Sequence, residues 1–138
     1  MFADVKPALG ALKSQGYRIG ISGNTSLETE TAVAAANLAP DFIASSARWG
    51  VSKPACGFFE RLMQECGTEA HEIAYVGDRL DNDVSGAIEA GMTGIWLKRG
   101  LWADFQGRQR DASFATATID TLAQLPDVLG RLAPTPEV

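Results

Sequence analysis

The sequence has little of what staples small secreted chains or carries a chain across a membrane. It holds two cysteines, Cys56 and Cys66, one histidine and no Cys-x-x-Cys pair. Neither a disulfide framework nor a zinc cluster is indicated, and two reduced thiols in a cytoplasmic protein are the expectation. No run approaches the roughly 20 apolar residues of a membrane span. The amino end lacks the charged-then-apolar pattern of a secretory signal. Basic residues are in the minority, with 12 Lys and Arg against 17 Asp and Glu and a net charge of −5. Nucleic-acid binding rests on Lys and Arg contacts to phosphates, so it is not expected. A small anionic substrate stays open, because a metal and a few local cations would set the field in a pocket. There is no internal repeat, low-complexity tract or linker.

What is present suits a globular chain: 138 residues, 46% hydrophobic and 21% charged. One domain is expected over residues 1–132, with the proline-bearing residues 133–138 as a tail. Val5, Leu9 and Leu12 recur at helical spacing up to a stop at Gly16. Residues 17–22 read as a strand, and Thr25-x-x-Glu28 reads as a capping box for a helix over 27–37. Residues 41–45 form a short strand candidate and 48–51 a loop. Ser52-Lys53-Pro54 reads as the entry of a helix carrying Phe58, Phe59, Leu62 and Met63. Residues 73–76 read as a strand, 84–91 as a helix, 93–97 as a strand and 98–112 as irregular. A last strand over 115–119 and a helix over 122–132 capped by Asp120 complete the order. Strands alternating with helices imply an α/β chain with a parallel sheet.

Chemistry concentrates at strand ends. After Ile73–Val76 come Gly77 and the acids Asp78, Asp81 and Asp83, at the carboxyl end of a strand beside a helix start. Ligands of open α/β sheets bind in that crevice. Three crowded carboxylates repel, so a nearby cation would explain them, and oxygen-only ligands suit Mg²⁺. An acidic turn that caps the helix is the plainer alternative. Ser22 with Gly23 and Asn24 also ends a strand before a helix, where a hydroxyl and backbone N–H groups can cradle an anion. Lys53 opens a helix, an unfavourable place for a cation unless something anionic is bound beside it.

Taken together, Ser22 after Ile19-Gly20-Ile21, then Lys53-Pro54, then Gly77-Asp78-x-x-x-x-Asp83 resemble motifs II, III and IV of the haloacid dehalogenase-like (HAD) hydrolase superfamily. The flanking phrases, Leu12 to Arg18 and Val84 to Met92, are similar too. The resemblance runs from about Phe2 to Leu97. It implies a Rossmann-like three-layer parallel sheet, holding Mg²⁺ and a small phosphorylated substrate or phosphate, with chemistry through an aspartyl nucleophile. By position, Ser22, Gly23, Asn24 and Lys53 would bind phosphate, and Lys53 would also serve catalysis by neutralising charge. Asp78 would bind the metal, and Asp83 would act behind it. Asp81 has no fixed place in the motif.

The first motif, Asp-x-Asp at the end of an apolar strand, is not found. Asp4 has no strand before it and Lys6 two positions on; the one Asp-x-Asp is Asp81-Asn82-Asp83. The expectation is a HAD-like core that is amino-terminally incomplete, lacks its first central strand and is inactive alone. The strands of Ser22 and Asp78 would then pair directly, be bridged by another chain, or leave a seam of unpaired backbone. A seam invites homo-oligomers or strand exchange. The alternative is a non-catalytic phosphate- or metal-binding or protein-interaction module. A receiver-type domain does not fit the order of Ser22, Lys53 and the acids. The acids favour phosphatase over dehalogenase chemistry, since a halide leaving group needs no Mg²⁺. Trp49, Trp96, Trp102, Arg48, Arg99, Arg108 and Arg110 could rim a pocket or simply pack and face solvent.

Overall fold

The computed structural model describes residues 3–99 and 114–132. Helix α1 (Val5–Ser14) turns Ala8 and Leu12 inward, and the chain reverses at Gly16 into β1 (Gly20–Gly23). Helix α2 (Leu27–Ala35), β2 (Phe42–Ser45) and the short α3 (Ser46–Trp49) follow. Helix α4 (Cys56–Cys66) buries Phe58, Phe59 and Leu62 and stops at Gly67 in left-handed conformation. Strand β3 (Ala74–Gly77) leads through a π turn, Leu80–Val84, into α5 (Ser85–Glu89). Strands β4 (Thr93–Leu97) and β5 (Ala117–Ile119) and helix α6 (Leu125–Leu132) complete the described order.

All strand pairs are parallel, which is what strands joined through helices must be. Ile21 lies opposite Ile43, Val76 opposite Ile95, and Leu97 opposite Ile119. Helices cover both faces. Alternation along β4 sends Ile95 and Leu97 into a cluster with Leu12 of α1 and Leu125 and Val128 of α6. Trp96 points the other way, onto Leu80 and Val84. Phe58, Phe59 and Leu62 of α4 close a third cluster with Tyr75, Ala87 and Met92. The α/β, Rossmann-like expectation therefore stands.

The sheet, however, is split. Strands β1 and β2 form one sheet and β3, β4 and β5 another, so among the described residues β1 and β3 each have a single hydrogen-bonded neighbour. Ser22 of β1 and Tyr75 of β3 approach each other across the gap, so the two open edges lie side by side. Of the three outcomes left open by the sequence, direct pairing of β1 with β3 is the one that the described residues do not make. Burial follows from it. In β4, paired on both sides, Gly94 to Leu97 are all buried; Gly20 of β1 and Ala74 of β3 are exposed.

Several local expectations are corrected by hydrogen bonding. Ser26, not Thr25, caps α2: its Oγ accepts from the Thr29 N–H at 3.2 Å. Thr25 gives its carbonyl to Ala47 N–H and Ser46 Oγ instead, both at 3.3 Å. Thr121, not Asp120, caps the last helical stretch, in a capping box with Gln124. Residues 46–49 are helical because Ser45 Oγ accepts from the Arg48 N–H. Pro54 lies before α4, not in its first turn, because the chain still turns from Ser52 to Ala55. Most of the irregular segment 98–112, and the tail 133–138, lie outside the described residues.

Candidate active site

The segments at the ends of β1 and β3 converge on the lysine. Ser22 is half-buried near the end of β1, with Gly23 and then the exposed Asn24 after it. Asn24 grips the backbone of Lys53 from both sides: its Nδ2 donates to the Lys53 carbonyl at 3.0 Å, and its Oδ1 accepts the Lys53 N–H at 2.8 Å. Both ends of the amide are thus engaged, and the loop before α4 is fixed to the end of β1. The Lys53 peptide bond to Pro54 is cis.

From that anchor the Lys53 side chain runs inward. Its ammonium lies 2.5 Å from Asp83 Oδ1, with the two side chains 9% and 7% exposed. It also stands 5.3 Å from the ring centre of Tyr75 and 5.7 Å from that of Phe58. Burial works to lower the lysine pKa, but its contacts with Tyr75 and Asp83 outweigh it, and the net shift is upward. A buried charge is tolerable only when paired in this way.

Asp83 is held from two sides, since its Oδ2 also accepts the Arg79 N–H at 3.1 Å. Gly77 makes this possible. A Cβ there would lie 2.3 Å from the Asp83 side chain, so the glycine before Asp78 is required by the packing of the second aspartate. Asp78 follows at the strand end, its carboxylate exposed and its carbonyl accepting from Trp96 Nε1 at 3.1 Å. Asp81 turns back on Arg79, with contacts of 3.2 and 2.9 Å. The acids therefore do not crowd one another around a common point. Lys53 neutralises Asp83 and Arg79 neutralises Asp81, so the repulsion that argued for a metal is largely relieved by protein cations. Among the described residues, the one group of carboxylates and histidine whose ligand atoms converge within 4.8 Å is the exposed Glu69, His71 and Glu72. Its members belong to a surface turn and none was singled out in the sequence.

Two residues were undervalued in the sequence. Tyr75 reads there only as part of an apolar strand, yet its Oη lies 3.5 Å from Ser22 Oγ and its ring lines the lysine. The signal was the residue type, since a buried tyrosine must place its hydroxyl. Asp4, considered only as a nucleophile, ties segments together instead. Its Oδ2 accepts from Thr121 Oγ at 2.6 Å, Arg99 Nη1 at 2.6 Å and the Leu122 N–H at 2.8 Å. Of the suggested rim, Trp96 is buried and Trp49 packs edge-on against Phe58; Arg48 pairs with Glu30 and Arg99 with Asp4. Trp102, Arg108 and Arg110 lie outside the described residues.

The covered parallel α/β fold thus gathers a hydroxyl, a paired lysine and an exposed aspartate beyond the ends of β1 and β3. A family model described as HAD-hydrolase-like matches residues 50–125, and the chain belongs to that family. Glyceraldehyde 3-phosphate phosphatase of Methanopyrus kandleri is 30% identical over 135 residues, covering 96% of this chain and 58% of that protein. Among solved structures, a HAD phosphatase from Thermococcus onnurineus superimposes with a TM-score of 0.82 at 28% identity. It aligns with 94% of this chain and 58% of its own. A 2-haloacid dehalogenase from Pseudomonas syringae pv. Tomato gives a TM-score of 0.75 at 29% identity, with 96% and 54% coverage. The chain thus spans little more than half the length of these relatives.

Proposed function

We propose that this chain forms the phosphate- and metal-holding part of a HAD-type phosphatase acting on small phosphorylated compounds. In this reading the Ser22 hydroxyl, the Gly23–Asn24 turn and the Lys53 ammonium bind the phosphoryl group. Asn24 does so indirectly, by fixing Lys53. The single observation that carries the reading is the buried Lys53–Asp83 pair beside Ser22. A lysine kept charged in apolar surroundings, next to a strand-end hydroxyl, is arranged to meet an anion.

Hydrolases of this family generally use Mg²⁺. Asp78 fits such an ion as a hard oxygen donor, exposed at the strand end. Mg²⁺ takes one or two carboxylates and completes its shell with waters and substrate oxygens. Bound there, it would supply charge neutralisation on the phosphoryl oxygens. Asp83 would act behind the site, by holding Lys53.

The attacking carboxylate is assigned to an additional strand in the seam between β1 and β3, where it would be paired on both sides. Such a strand would come from a further segment of polypeptide, since the one Asp-x-Asp of this sequence is Asp81-Asn82-Asp83. Without it the chain is inactive. A non-catalytic phosphate-binding or interaction module is the second reading, favoured by the engagement of Asp83 and Asp81 with protein cations. The two unpaired thiols suit a reducing, cytoplasmic setting, and among the described residues no helix is long and apolar enough to cross a membrane.

The test is calorimetric titration of phosphate and Mg²⁺, with turnover of a generic aryl phosphate measured alongside. Phosphate affinity lost in Lys53→Met and Mg²⁺ affinity lost in Asp78→Asn are expected. Identical titrations for wild type and both variants would overturn the site. Mg²⁺-dependent turnover by this chain in monomeric form would overturn the seam assignment.

A further inference from the structure

Tyr75 occupies a place that neither the motif pattern nor the comparisons assign. It is 8% exposed, in the middle of β3. Its ring is fixed from behind by an edge-on stack: Phe59 at 5.5 Å, then Phe58 at 5.5 Å, then Trp49 at 5.0 Å. Rigidly backed, the side chain reaches across the seam, so that its hydroxyl comes 3.5 Å from Ser22 Oγ on the other sheet. The Lys53 ammonium lies over the same ring, 5.3 Å from its centre.

We propose that Tyr75 is a positioning residue of the site, its hydroxyl linking the Lys53 ammonium to Ser22 across the seam. The inference rests on the reading that Ser22 and Lys53 bind a phosphoryl group. An ammonium has three donors and no acceptor, whereas a phenol hydroxyl both accepts and donates. Asp83 takes one ammonium donor. In the proposed chain a second ammonium donor goes to Tyr75 Oη, whose ring lies beside it, and the phenol proton goes to Ser22 Oγ, 3.5 Å away. With its oxygen accepting, the Ser22 hydroxyl is left to give its proton outward to the anion. Each donor in such a chain polarises the next, which strengthens the last one. The ring sets where the lysine stands, and the hydroxyl sets which way Ser22 points.

The experiment uses the full chain, Tyr75→Phe and Ser22→Ala, singly and together, with inorganic phosphate as the probe. Tyr75→Phe keeps the aromatic stack, so its melting temperature is expected to stay near wild type. Its phosphate affinity is expected to fall about 3- to 10-fold, the scale of one hydrogen bond. The double variant is expected to bind no more weakly than Ser22→Ala alone, because the hydroxyl acts through Ser22. Wild-type affinity in Tyr75→Phe, or additive losses in the double variant, would overturn the proposal. A second readout needs no ligand. The ¹⁵N ammonium resonance of Lys53 should be slowly exchanging in wild type and broadened in Tyr75→Phe. It should be perturbed in Ser22→Ala too, which probes the same contact from the other strand. An unchanged Lys53 resonance in both variants overturns the link even if no form binds phosphate. Failure of phosphate binding with a shifted resonance would instead strike only the functional reading.

Discussion

Lys53 and Asp83 form a pair 2.5 Å apart in which both side chains are largely shielded from water. Removing one partner leaves the other as a buried charge. Lys53→Met and Asp83→Asn are each expected to lower unfolding stability by roughly 3–5 kcal/mol. The double variant should recover much of that loss. Urea unfolding read as a double-mutant cycle measures the coupling. Additive losses would mean that the pair is not coupled in the folded protein.

Asn24 is the clamp on the lysine's backbone, through two hydrogen bonds from one amide. Asn24→Ala is expected to cost about 1–2 kcal/mol of stability, discounted because the clamp is solvent-exposed. Phosphate affinity should fall as well, because the lysine loses its anchor. Asn24→Asp keeps the acceptor for the Lys53 N–H and should sit between wild type and alanine. An Asn24→Ala protein that binds phosphate as wild type would reduce Asn24 to a loop residue.

Gly77 makes room for Asp83. Gly77→Ala should push the Asp83 side chain away and destabilise by about 1–3 kcal/mol, as overpacking does. Adding Asp83→Ala to Gly77→Ala should remove the steric part of that cost. Chemical denaturation of the two single variants and the double decides it. An unperturbed Gly77→Ala protein would contradict the close packing at the end of β3.

Asp4 sets a pH prediction. The Thr121 hydroxyl most strongly, against some opposing desolvation, then Arg99 and the Leu122 N–H, lower its pKa from 3.8 to about 2. A depressed carboxylate stabilises the fold fully above its unfolded pKa, and that stability is lost as pH falls through the folded one. The Asp4 contribution should therefore be intact above about pH 4 and vanish towards about pH 2. Glu30, hydrogen-bonded by the buried Ser45 and paired with Arg48, shifts in the same direction. In Asp4→Asn, stability should be lower near neutrality and decline less on acidification. Urea midpoints at pH 5 and pH 2.5 measure this, and parallel declines would count against it.

The fold class was legible because it rests on local periodicity. The short apolar stretch Thr93–Leu97 and the apolar spacing of α1 and α4 are properties of consecutive residues, and each element appears close to where the pattern puts it. Helix starts were less legible. Thr25 and Ser26, or Asp120 and Thr121, are adjacent residues of similar capping ability. Only the surrounding hydrogen bonds, such as Thr25 O to Ala47 N–H, choose between them.

The residue types of the candidate site could likewise be read from the chain alone. Ser22 and Asp78 stand where strands end, and Lys53 and Asp83 stand in the turns that lead into α4 and α5; such places can be recognised from sequence. What they do to one another depends on segments tens of positions apart, and distance in space is set by packing. Packing pairs Lys53 with Asp83, spends Asn24 on the lysine's backbone and gives Asp81 to Arg79, leaving Asp78 exposed. It also brings Tyr75 across to Ser22, while among the described residues β1 and β3 do not pair with each other. Periodicity and turn chemistry determined the elements. Whether their edges meet, and which charges cancel, depended on non-local contacts that only the folded chain makes.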